Sequence, residues 1–517
     1  LIPNPRKNET STFPRKLSES GLFTSVAAQS PAPGVIPYSI NAEPWADHAV
    51  AERFVGVPGQ GTITVAQKWV FPKDTVLLKT LSLPLGSDKS AKLRRVETQL
   101  MHFDGIDWMA YSYRWNDDQT DATLVESDGV DTTLEVPDPT EAGGKRLQPW
   151  RFAGRAECQR CHNHWSGSAL GFNTAQLNRG RNYGGVEASQ LDTLVHIGIL
   201  DKRETIDNLP PLVGPENSAA KLEDRARGYL HANCAHCHRM HAGGAVLSQM
   251  HFDLPIEKTV MLGVRPTQGT FGIHAAQVIA PGDPVRSVLY YRMSKLGAGR
   301  MPHLGSTEID VRGLELIHDW IRSMPHDVSN DTGPHAVDAN LRREELAELE
   351  RLSKAVSTQE MPSIADRLLA STGGALLAVR AAQRGDLTGP ARSVVVEKGI
   401  AHAEPTVREL FERFLPAEKR IKRLGTAINP KKILAMTGDA ANGRRVFFDT
   451  QGVSCKNCHR IQKEGKEVGP ELTAIGKKHN RAQLLENILD PSKLIEPKYV
   501  VYLAETSDGK THSGLLV

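Results

Sequence analysis

The residues most able to do chemistry in this 517-residue chain are its six cysteines, and all six fall into one pattern. Cys158 and Cys161, Cys234 and Cys237, and Cys455 and Cys458 are each separated by two residues. Each pair is followed at once by a histidine: His162, His238 and His459. Two thiols at that spacing can add to the two vinyl groups on one edge of a porphyrin, and the next histidine then falls beneath the iron as proximal ligand. The pattern predicts three c-type haems, each held by two thioethers. Other uses of paired cysteines fit less well. Zinc sites usually take such pairs in twos, and three pairs leave one over. A redox-active dithiol needs one pair and no following histidine.

Each motif needs flanking elements that position it. Before Cys234, residues 222–230 place apolar side chains at helical spacing, and Gly228 would permit a close helix crossing. Downstream, Asp310 can cap a helix whose Leu314, Ile317, Trp320 and Ile321 share one face. These are the expected crossing pair. Between them, Gly299-Arg-Met301-Pro302 resembles the distal-ligand loop of class I cytochromes c, so Met301 is expected as the second axial ligand of the middle haem. A packing role for Met301 is the alternative, with Met293 as next candidate.

Around the third motif, Asp439 can cap a helix leading through Phe447 and Phe448 to Cys455. Gly469-Pro470-Glu-Leu472 resembles the cytochrome c segment whose proline carbonyl accepts the N–H of the proximal histidine, a bond that orients the ring and raises its basicity. No methionine follows Cys458. His479, His512, Lys498 or Tyr499 could replace it, the ligand could lie past Val517, or the site could be open. The first motif has no good amphipathic helix before it. Trp150 and Phe152 read as the end of a β-rich segment, and residues 170–177 could start a helix.

The chain as a whole is too long for one core. Its fold class reads as multidomain: an N-terminal all-β domain, then mainly α cytochrome c-like domains and a helical spacer. Residues 1–145 carry strand-like runs at 75–83, 93–103 and 108–115. Residues 146–325 hold the first two motifs. Residues 326–430 open on a polar linker and continue as Ala-, Leu-, Arg- and Glu-rich helices, among them an amphipathic segment from Glu404 to Leu415 that Pro416 would end. Residues 431–517 read as a third haem unit, which could be truncated, closing on a hairpin. Trp45, Trp69, Trp108 and Trp115 could form a carbohydrate platform, though core packing is the expected use of most of them.

A formal charge of +3 without a long basic run points away from nucleic acid and anionic membranes. No stretch approaches the roughly 18 apolar residues of a membrane span. The chain starts at Leu1-Ile-Pro without an initiator methionine and stops in a strand-like run, so it is expected to be a piece of a longer protein.

Trp45-Ala-Asp-His, Tyr111-Ser-Tyr-Arg-Trp-Asn116, Gly171-Phe-Asn-Thr-Ala-Gln-Leu-Asn178 and Arg227-Gly-Tyr-Leu-His-Ala-Asn-Cys234-Ala-His-Cys-His238 resemble a family of diheme c-type cytochromes known mainly from bacterial genomes. That likeness covers roughly residues 15–325. Residues 438–517 resemble a bacterial haem-binding domain found at the C-termini of large secreted proteins, which often carry a sugar-dehydrogenase-like domain upstream. The resemblance implies a periplasmic or extracellular protein that transfers electrons between redox partner proteins, one of which a fused upstream domain could supply. Two rivals remain at this point. One is a peroxidase-like multihaem enzyme with an open haem. The other is a carbohydrate-associated binding protein with accessory haems.

Overall fold

The computed structural model describes residues 13–515 except 67, 87–91, 140–142, 203–209, 241, 243–246, 326–333, 355–356, 422, 424–429, 450–454, 490–495, 497–498, 500 and 506–510. A β-rich N-terminal region is followed by helical regions, as the composition along the chain predicts.

The β region centres on a six-stranded antiparallel meander: β1 (Val35–Tyr38), β2 (Val50–Gly56), β3 (Val76–Pro84), β4 (Leu93–Phe103), β5 (Trp108–Trp115) and β6 (Ala122–Leu124). Three of these match the strand-like runs closely. Successive side chains in a strand point to opposite faces, and here both faces are covered. Phe54, Leu78, Leu100 and Tyr111 lie across one another and pack against Leu17, Phe23 and Val26. Val55, Leu77, Met101 and Ala110 form the other face, which packs against Ala169, Phe172, Leu177, Leu191 and Leu194. A hairpin of β7 (Val130–Pro137) and β8 (Lys145–Phe152) follows, so β structure runs to Phe152. The tryptophans are taken up in packing. Trp108 and Trp115 are buried, Trp69 meets Phe172 edge-on, and the Trp45 indole donates to the Glu308 carbonyl at 3.1 Å.

The helical regions share one core. It joins α2 (Leu222–Asn233), α3 (Val288–Met293) and α4 (Val311–Ser323) to α5 (Pro334–Ser353), α6 (Met361–Leu369), α7 (Thr372–Arg384), α8 (Gly389–Ala401) and α9 (Pro405–Phe411). The expected spacer is therefore packed onto the segment holding the second motif. Thr372 Oγ1 donates to the Phe271 carbonyl at 2.8 Å, Tyr291 Oη donates to the Thr406 carbonyl at 2.8 Å, and Arg380 pairs with Glu315.

Helices α2 and α4 do pack together, with Asp310 capping α4 through the Gly313 N–H at 2.9 Å. The glycine that permits their approach is not the expected one. Gly228 lies against the carbonyl of Val213, and a Cβ there would collide with that oxygen. It is Gly313 whose missing Cβ makes room for the ring of Tyr229. Gly313→Ala should cost about 1–3 kcal/mol, the usual range for overpacking a dense core. A chemical-denaturation midpoint equal to that of the parent would show that the helices can part without penalty.

The C-terminal unit is built differently. Asp439 caps α10 (Ala440–Phe448) through the Asn442 N–H at 3.0 Å. The closing hairpin pairs β9 (Val501–Glu505) with β10 (Thr511–Leu515), as expected. Among the described residues of 430–489, Phe448 alone is buried, while Val468, Ile488 and Leu489 are exposed. Among the described residues, no helix is long and apolar enough to cross a membrane.

Candidate haem centres

Each motif sits at the end of a short piece of helix. The first lies on a seven-residue helix, α1 (Arg155–Cys161), whose start is tied down by the Glu157 carboxylate accepting from the Gly154 N–H at 2.7 Å. Gln159 anchors α1 to the sheet by donating to the Trp108 carbonyl at 2.6 Å. The second motif begins where α2 ends, with the His238 N–H donating to the Cys234 carbonyl at 2.9 Å. The third turns through Cys455–Asn457, and His459 bonds back to Cys455 at the same 2.9 Å.

The three histidines are oriented alike. His162 Nδ1 donates to the Ser168 carbonyl at 2.6 Å, and His459 Nδ1 donates to the Pro470 carbonyl at 2.8 Å. His238 Nδ1 lies 3.3 Å from Ser248 Oγ. With Nδ1 engaged by oxygen, Nε2 is the nitrogen left for a metal, and the bond to Nδ1 makes it the better donor. The Pro470 bond is the one expected from the Gly-Pro segment. Gly469 is needed for it, because a Cβ there would stand 2.8 Å from the His459 ring. Ser168 and Ser248 were not anticipated. Both follow their histidine within ten residues, the distance a tight returning loop spans, but no sequence pattern marks them.

The thiols also bear on the chemistry. All six cysteines are free of disulfides. Burial pushes Cys158 and Cys234 up to about 12, so both stay protonated at neutral pH. Cys237 differs, since the hydrogen bond with Cys161 and the nearby His236 pull it down to about 4. The surroundings therefore disfavour the thiolate that zinc or a reactive dithiol needs at Cys158 and Cys234, but not at Cys237. Cys158 packs with the sheet-face core and Cys234 with the helical core, giving each thiol an apolar wall. Haems at these positions would be held by Cys158, Cys161 and His162, by Cys234, Cys237 and His238, and by Cys455, Cys458 and His459. When bound they supply one-electron chemistry.

Met301, expected as the second axial ligand of the middle haem, is half-buried and its N–H donates to the Arg292 carbonyl at 3.0 Å. Arg300 beside it is tied to Ser306 and Glu308. Two residues on, burial holds the His303 imidazole below its ordinary range, with Arg160 adding repulsion. Met293, the alternative, is buried in the helical core. The loop is gripped from the β region. The buried Asp47 carboxylate accepts from the Thr307 N–H at 2.7 Å, the Thr307 hydroxyl at 2.8 Å and the Glu308 N–H at 3.0 Å. Asp47 and His48 both have positive φ, 50° and 70°, an uncommon conformation for non-glycine residues.

Near the first motif, Lys79 of β3 interacts electrostatically with Cys158 and His162. Burial, helped by Arg53, pulls its ammonium down to about 8. A lysine inside a strand gave no sign of this in sequence. Near the third motif, His479 is half-buried, while Lys498 and the His512 side chain lie outside the described residues.

Burial also holds His231 of α2 down to about 4, with Arg239 adding repulsion. Its ring meets Phe252 edge-on and accepts the Phe252 N–H at 3.4 Å. Unfolded, this imidazole titrates near its ordinary value of about 6.5. Its contribution is fully present above that value. Between there and about 4 the unfolded chain gains a proton that the folded chain refuses, so stability falls as pH falls. The loss should be on the order of 1–2 kcal/mol after discounting for the ring's partial exposure. His231→Gln should flatten that part of the pH–stability curve; an unaltered slope assigns the acid sensitivity elsewhere.

No protein-family profile, no curated protein and no solved structure matches this chain.

Proposed function

We propose that the chain is a triheme c-type cytochrome that carries electrons between redox partner proteins outside the cytoplasm. The observation that carries this reading is the shared arrangement of His162, His238 and His459. Each directly follows a Cys-x-x-Cys pair and turns Nδ1 to an oxygen. Free thiols at all six cysteines and apolar walls beside Cys158 and Cys234 agree with it. The chain's residues would attach the haems, orient the proximal rings and exclude water from the irons, and so set their potentials. Met301 would supply the distal sulfur at the second site. The extracytoplasmic setting rests on the attachment chemistry and on the family resemblance, as does a dehydrogenase partner.

The test is the mass of protein matured in a compartment with haem-ligation machinery. Three haem additions that survive acid–acetone extraction are expected, mapped to peptides holding Cys158, Cys234 and Cys455. Zinc without iron in the purified protein would defeat the proposal.

A further inference from the structure

The first two motifs lie against each other. Sγ of Cys161, Sγ of Cys237 and a ring nitrogen of His236 all fall within 4.8 Å of one another. Cys237 Sγ also lies 3.8 Å from the Arg160 carbonyl. Two further bonds hold the loops together: Asn163 Nδ2 donates to the His236 carbonyl at 3.4 Å, and Arg239 donates to the Trp165 carbonyl at 3.0 Å. The arrangement has a logic within each motif. Its first cysteine, Cys158 or Cys234, is turned into a separate apolar core. Its second cysteine is turned to the seam where the two motifs meet.

We infer that Cys161 and Cys237, brought together at this seam with His236 beside them, form a direct electron path between the first and second haems. The inference rests on the triheme reading above. Each of these sulfurs would be one covalent bond from its porphyrin's side chain, so contact between the sulfurs is contact between the two haem edges. With both haems attached, one electron would pass from a ferrous centre held by His162 to a ferric centre held by His238, or back. No bond is made or broken and no proton moves. In the experiment dithionite supplies the electron and ferricyanide removes it. The two sites thus act as one two-electron store, whereas no such contact joins the third motif to either among the described residues.

The experiment is Soret circular dichroism of the matured full chain, with mass spectrometry as a separate count of attached haems. A bisignate Soret signal is expected, because two porphyrins in edge contact couple excitonically. It should collapse to a single-signed band in the double variant Cys158→Ala, Cys161→Ala, which lacks the first haem. Should that variant not fold, Arg239→Ala serves instead. It frees the second loop from Trp165 and should at least halve the couplet while three haems remain attached. A single-signed parent spectrum with three haems counted overturns the inference and leaves the function intact, as does a couplet that neither variant changes. Absence of attached haem overturns the function itself.

Discussion

Replacing Met301 by alanine should lower the midpoint potential of the second haem by on the order of 100 mV, a modest share of the range of about 0.8 V that axial ligands command. Thioether sulfur favours ferrous iron, so its loss favours the ferric state. The near-infrared band of sulfur–iron ligation should vanish, while the haem stays attached through Cys234 and Cys237. Met301 is half-buried and its backbone is fixed by the Arg292 carbonyl, which a ligand or a packing role would equally accommodate. A variant whose spectrum and potential match the parent makes Met301 a packing residue. His303, rather than the core residue Met293, then becomes the distal candidate, and a His/His site would show a potential already low in the parent.

A second large effect should follow from Cys455→Ala with Cys458→Ala. The unit around this motif buries Phe448 alone among its described residues up to 489, and leaves Ile488 75% exposed. So little buried apolar area cannot offset the entropy of ordering its backbone, at roughly 1–2 kcal/mol per residue. A haem wedged against Phe448 and the 481–489 helix would supply the missing core. Without its thioethers the unit should unfold alone. Limited proteolysis should then clip the chain beyond residue 430 at least tenfold faster, while the segment up to about residue 420 resists. Equal protease resistance in parent and variant would mean that the unit is stabilised by something other than a haem.

The sequence made some of this legible and hid the rest, for physical reasons. Strands β3, β4 and β5 could be read because their Leu-, Val- and Thr-bearing or aromatic runs are bounded by Gly, Asp and Pro turn residues. The caps Asp310 and Asp439, and the apolar stripe of α4, are local signals and were read correctly. The bond from His459 to Pro470 was readable only through the likeness of Gly469-Pro470-Glu-Leu472 to a cytochrome c segment. What could not be read depends on distant parts of the chain. Gly228 and Gly313 look equally suited to a helix crossing, and only the position of Val213 assigns Gly228 elsewhere. The meeting of Cys161 with Cys237 joins two motifs whose separate flanks say nothing about their relative placement. The bundle from Met361 onward looked like a spacer because its partners, such as Phe271 and Tyr291, lie outside any recognisable pattern.

Asp47 holds the far end of the loop that carries Met301, and it does so from the β-sheet region, some 250 residues earlier in the chain. The consequence concerns inheritance. A gene for this protein cannot be cut at the natural-looking joint near residue 145 and re-spliced to another front half without also setting the loop of Met301 adrift. On the triheme reading proposed above, recombination at that joint would leave the thioethers intact yet retune the second haem. The front half and the segment holding the second motif are therefore expected to have travelled together as one heritable block. The C-terminal unit, with no comparable grip among the described residues, is the part free to be gained, lost or exchanged.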